Sequence, residues 1–289
     1  MTSHENNQFS AGNTVMTKII SSGIVSVSRQ RHHGKRWQRF HSYFFAESHS
    51  TVPLVLAEVE RAAASLPFSF GVDGNDIEPV ALLKVTDGKE SAVVSADGRW
   101  RAAYVPSHLR NYPFSTRFAG QGKIELLVDE SSGLINEDAT GELFFDDTGN
   151  PSRSIEQILK FFSEREADRS KTLGACAEIA RQGLFMPFEM AGVRPNIRES
   201  GILMINRDKF RNIDADTIAA LHAAGALPMI YAHFVSLAHL PTMARIEQAE
   251  VPESLRTALA VSNGLNLQND PAFNDFVAAI SASWAQEAL

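Results

Sequence analysis

The sequence predicts an α+β fold: an antiparallel β-meander in a mixed sheet, packed helices and a helical C-terminal extension. Three observations carry that prediction. Asp87-Gly88 and Asp97-Gly98 separate the β-prone runs EPVALLKV, ESAVVSA and RWRAAYV, and Asp-Gly supplies the positive φ angles of tight hairpin turns. Apolar residues recur at helical spacing, for example Ile155, Ile158, Leu159 and Phe162. Strand-like and helix-like segments do not alternate regularly, and no internal repeat appears.

Taken in order, residues 1–15 read as a flexible polar tail, 16–245 as the α+β domain and 246–289 as the helical extension. Between Val52 and Phe70 the pattern is a helix leading into a short strand, with Glu58 and Arg61 able to lie outward. The meander follows and ends at Val105. Pro106 lacks a backbone donor, so YVPSHLRNYPF, Tyr104 to Phe114, reads as a strand-terminating corner with one helical turn between its prolines. KIELLVDE and GELFFDD are further strands, joined by the acidic loop SSGLINEDAT. One helix starts at Pro151 to Ser154, and a second covers Thr172 to Arg181 and ends at Gly183. Leu184–Phe188 and Ile202–Ile205 are short strands, and Asp214 or Asp216 caps a helix that Gly225 terminates.

Composition narrows the function. Of 289 residues, 44% are apolar and 21% charged, which suits a folded chain. A net charge of −7 opposes general nucleic-acid binding. The one basic run, Arg29 to Trp37, reads as a solvated face or a loop before the folded core. A single cysteine, Cys176, excludes an intrachain disulfide, and its apolar helical setting reads as a buried inert thiol. The start lacks a secretory signal, so a cytoplasmic location is expected, with export by another route left open. Leu221 to Ala244 carries no formal charge, yet Gly225, Pro228 and three histidines make it a core element instead of a membrane span.

Hydrolase, phosphate-loop, dinucleotide and zinc-protease motifs are absent from the sequence, and the nine histidines lack the paired spacing of a metal site, so neither metal nor cofactor is expected. Two readings of the corner stay open. In one, Tyr104, Tyr112 and Phe114 are buried anchors. In the other, Trp100, Tyr104, His108, Arg110 and Tyr112 form one side of a small-ligand pocket whose other side is the Tyr231–Leu240 segment with Tyr231 and His233. His233 also reads as a hydrogen-bonded core histidine. At the C-terminus Phe273, Phe276, Val277, Ile280 and Trp284 share one helical stripe, suited to packing on its own domain or to docking a partner or second copy.

HGKRW near His33, FFAESHSTVPLVLAEVERAAASLPFSF, DGRWRAAYVPSHLRNYPF, LLVDE and GALPMIYAHFVSL, in this order, resemble the bacterial SapC family over about Arg31 to Arg245. The motif positions are Trp100, Tyr104, Pro106, Arg110, Tyr112, Pro113 and Phe114, with Tyr231, Ala232 and His233 later. The resemblance implies a bacterial protein linked to the surface-layer gene cluster that names the family, often encoded near outer-membrane receptors and flavin-dependent halogenase-like proteins. It carries over no catalytic residue. The expected function is therefore a non-catalytic accessory or interaction module of the cell envelope, with a small-ligand binder or enzyme at the corner as the alternative.

Overall fold

The computed structural model describes residues 23–88, 91–118, 124–138, 140–189 and 201–249. The chain is α+β, with eleven strands among these residues: β1 Ile24–Ser26, β2 Arg36–Trp37, β3 Thr51–Pro53, β4 Phe68–Asp73, β5 Asp76–Leu82, β6 Phe114–Phe118, β7 Ile124–Asp129, β8 Ile135–Asn136, β9 Glu142–Leu143, β10 Phe185–Pro187 and β11 Leu203–Ile205. The helices are α1 Arg29–His32, α2 Val59–Ala63, α3 Arg153–Arg181, α4 Arg207–Arg211, α5 Ala215–Ala223, α6 Ala226–Ser236 and α7 Leu240–Gln248. The expected tail and the stripe Phe273, Phe276, Val277, Ile280 and Trp284 lie outside the described residues.

The main sheet runs β10-β11-β4-β5-β3, antiparallel throughout. Its central hairpin turns at Gly74, whose φ of +60° a side chain would resist. In this register Phe68 faces Ala81 and Phe70 faces Pro79, while Gly71 faces Glu78. Because paired residues share a face and the side-chain period is two, Phe68 and Phe70 point to one side of the sheet and Glu78 to the other. On the phenylalanine side His233 of α6 contacts both rings, and on the other side Arg169 of α3 meets Glu78. Both faces are therefore covered.

A second, smaller core gathers Trp37, Phe114, Val128, Phe144, Ile155 and Phe162 between the sheets β1-β7-β6 and β8-β2-β9 and the start of α3. The basic run is part of this unit and not a loop before it. Arg31 and Lys35 bond Glu130 at 2.6 and 3.3 Å, holding its carboxyl down at about 2, while His32 is fully buried against Phe144.

Helix α3 ties the two cores together. Ser152 caps it by accepting from the Ile155 amide, and at about 1.5 Å per residue its 29 residues reach past both. One stripe, Ile155, Ile158, Phe162, Arg165, Arg169, Thr172, Cys176 and Ile179, steps by three and four. Its first three members enter the small core and its last two the large one, where burial raises the pKa of the Cys176 thiol. The expected pair of helices is thus a single helix. No proline or glycine interrupts residues 153–173, and the apolar stripe fades in the middle only because arginines occupy it.

The expected meander also needs correction. Only its first run is a strand. ESAVVSA and RWRAAYV meet at one isolated bridge, Val94 to Trp100, across a turn at Gly98 with φ +78°. Local side chains satisfy this backbone: Ser91 accepts from the Val94 amide at 3.0 Å, and the Trp100 indole donates to the Tyr104 carbonyl at 2.8 Å. The corner consequently follows coil, not a strand. Pro106 precedes a 3-10 turn over Ser107–Leu109, and Pro113, after a cis peptide, leads directly into β6.

The uncharged Leu221–Ala244 segment is broken by Gly225 at φ +69°, with Pro228 accommodated in the first turn of α6. Among the described residues no single helix is long and apolar enough to cross a membrane. A bent pair, Ala215–Ala223 with Ala226–Gln248, meets the length and composition only across a 96° break.

Candidate functional site

The corner is held from beneath by a carboxylate. Glu58, 2% exposed, accepts four hydrogen bonds: the Val55 amide at 3.0 Å and the Ser107 hydroxyl at 2.7 Å on Oε1, and the Tyr104 hydroxyl and Ser107 amide at 2.8 Å on Oε2. Arg165 completes the group, donating from Nε to the Ser107 hydroxyl at 3.1 Å. The sequence had suggested an outward Glu58. It turns inward because a buried carboxylate with its lone pairs filled escapes the desolvation penalty that an unpaired one would meet.

Tyr104 is therefore a tethered residue. Burial, then the neighbouring Glu58 charge, pushes its phenol up to about 12. The guanidinium carbon of Arg110 lies 4.8 Å from its ring centroid, and Arg110 Nε donates to the Val105 carbonyl at 2.9 Å. The Nη groups of Arg110 have no acceptor among the described residues. Tyr112 stacks on Phe45 at 4.0 Å, and its phenol, also raised to about 12 by burial and by Asp129, donates to that carboxylate at 3.3 Å.

Above this base lies a hollow of about 330 Å³. Trp37, Phe40, Tyr43 and Tyr112 supply aromatic surface, Arg39 and Arg110 supply charge, and the first turns of α3 close one side through Ser154 and Gln157. Among the described residues no carboxylate lines it. Phe40 packs edge-on against Tyr43 and Phe45 at about 5 Å, which fixes the wall.

The ligand residues expected from the sequence divide between places. Arg110 and Tyr112 line this hollow; Trp100, Tyr104 and His108 do not. Trp100 braces the corner through its indole bond to the Tyr104 carbonyl, and His108 lies on the 3-10 turn Ser107–Leu109. Tyr231, 57% exposed, lines a separate apolar groove of about 530 Å³ with Phe210, Phe234 and Val235. The expected pocket between the corner and the Tyr231–Leu240 segment is corrected accordingly: the two segments line different hollows, and His233 belongs to the sheet face opposite α3.

His233 lines neither hollow. Nδ1 donates to the Phe68 carbonyl at 2.8 Å and Nε2 accepts from the Ile205 amide at 3.3 Å, which fixes a neutral tautomer. Burial pushes its pKa down to about 4. Because the folded value lies below the ordinary 6.5, the group adds stability above pH 6.5 that is lost as pH falls toward 4. Replacing His233 by leucine is expected to cost about 2 kcal/mol, since two backbone groups lose partners, and to remove that part of the acid sensitivity. Urea unfolding of both proteins between pH 4 and 7 measures each effect.

Several residues that build the site escaped sequence reasoning. Trp37, Phe40 and Tyr43 carried a signal, aromatic residues three apart interleaved with Arg39 and His41. Arg165 and Arg169 carried another, continuing an apolar stripe. Glu58 carried none, since one acid in a short helix ordinarily faces water. Among the described residues no group of three His, Cys, Asp or Glu side chains is placed to hold a metal ion.

The family model for SapC matches residues 27–243, three quarters of the chain and all of the elements described above except β1 and the last turns of α7. The chain belongs to the SapC family. No curated protein and no solved structure matches it. Within this SapC chain the motif Trp100 to Phe114 is first a structural device, because it seats the corner on Glu58. Through Arg110, Tyr112 and Phe114 it also contributes part of the hollow's lining.

Proposed function

We propose that this SapC-family chain is a non-catalytic interaction module serving cell-envelope or surface-layer functions, acting by binding and not by covalent chemistry. The observation that carries the reading is the commitment of three buried titratable side chains, Glu58, Glu247 and His233, to the fold. Glu58 and Glu247 spend their oxygens on backbone and hydroxyl donors, and His233 spends both nitrogens on the main chain. A general acid or base must instead reach a substrate proton at hydrogen-bond distance. What the surface offers is aromatic faces and guanidinium groups, which are binding chemistry. The envelope link rests on family membership.

The test is cosedimentation of the full chain with isolated bacterial envelopes. Saturable retention, competed by excess untagged chain and with the envelope components recovered unchanged by mass spectrometry, is expected. Absence of retention, or time-dependent chemical change of a recovered component, overturns the reading.

A further inference from the structure

We propose that the hollow between Trp37 and Arg110 is a binding site for a small aromatic carboxylate, the ring lying on the aromatic wall and the carboxylate on the Arg110 fork. This deepens the module reading and rests on it for the claim that the ligand is held unchanged.

Four features select that chemistry. The volume of about 330 Å³ falls at the lower end of the roughly 300–1,000 Å³ of small-molecule sites. Phe40, Tyr43 and Tyr112 present ring surface, and such faces take a planar apolar body. Arg110 is oriented in advance, fixed by its Nε bond to Val105 and by stacking on Tyr104, while its two Nη groups are left for an acceptor. A planar fork of this kind matches a carboxylate in two parallel bonds. The charge balance is also one-sided: among the described residues the lining holds Arg39 and Arg110 and no acid, which disfavours an amine. Arg39 is a weaker partner, being already bonded to Glu142 at 3.0 Å and 72% exposed.

Arg110 can be changed without touching the core, because it is exposed and its anchoring bond is made at the surface. The full chain is titrated with 2-naphthoate by calorimetry, alongside 2-naphthylmethylamine, cyclohexanecarboxylate and inorganic phosphate. Saturable one-to-one binding of naphthoate is expected, at least about tenfold tighter than any of the other three. Arg110→Ala should weaken it by about tenfold or more with an unchanged melting temperature, Arg110→Lys should fall between, and Phe40→Ala should weaken it as well. Equal binding of the amine, undiminished binding by Arg110→Ala, or no binding by the native chain overturns the assignment. If naphthoate fails while envelope retention persists, the hollow falls and the module stands. If the naphthoate is recovered chemically altered, the module reading itself falls.

Discussion

Glu58→Ala should destabilise the protein by about 3–5 kcal/mol, the range for removing one member of a buried, hydrogen-bonded charge network. The size follows from what the substitution strands. Two backbone amides, at Val55 and Ser107, and two hydroxyls, of Tyr104 and Ser107, lose a common acceptor. The Arg165 guanidinium also loses the strongest of the opposing charges that compensate its burial. Each orphaned buried donor costs on the order of 1–3 kcal/mol, less what relaxation and water recover. Tyr104→Phe removes a single donor and should cost only about 1 kcal/mol. Urea titrations of the three proteins check the order, and a loss under about 1 kcal/mol for Glu58→Ala would mean the carboxylate is not the keystone. Because Tyr104 carries the stacked Arg110, the alanine variant should lose naphthoate affinity even at temperatures where it remains folded.

The contrast between Glu58 and the hairpin runs shows what the sequence could convey. Local signals were readable: the Asp214 cap accepts the Thr217 amide at 2.8 Å, Gly225 ends α5, and Leu184–Phe188 and Ile202–Ile205 pair as β10 and β11. These depend on one residue and its immediate neighbours. The meander failed because Asp-Gly specifies a turn but not the strands on either side of it. The coil from residue 91 to 105 is instead held by Ser91 and by the Trp100 to Tyr104 bond. The hollow was half legible. Arg110 and Tyr112 stood out as a dense motif, whereas their partners Trp37 and Phe40 lie some seventy residues earlier, and only the meeting of β6, β7 and α3 brings them together. The expected partner segment, by contrast, shared apolar character with the corner, and composition does not say which face of a sheet a residue will meet.

The same limit hid Glu78, and it yields the second large effect. Its side chain is 2% exposed; Oε2 takes Arg169 at 3.0 Å while Oε1 has no partner among the described residues. Burial outweighs the attraction of Arg169 and raises the carboxyl's pKa above its ordinary 4.5. For a folded pKa above the unfolded one, the contribution to stability is fully present below pH 4.5 and is lost as pH rises through the folded value. Arg169→Ala takes away the cation and the one hydrogen bond, so at pH 7 it should cost about 3–5 kcal/mol, as for any broken buried pair. The loss should shrink as pH falls toward 4.5, because a protonated Glu78 no longer needs a cation. Glu78→Gln combined with Arg169→Ala should be less destabilised at pH 7 than Arg169→Ala alone, since an amide carries no charge to strand. A penalty for Arg169→Ala that is flat with pH, or a double variant no better than the single one, would show that Arg169 matters through its packing along α3 and not through the charge it brings to the underside of β5.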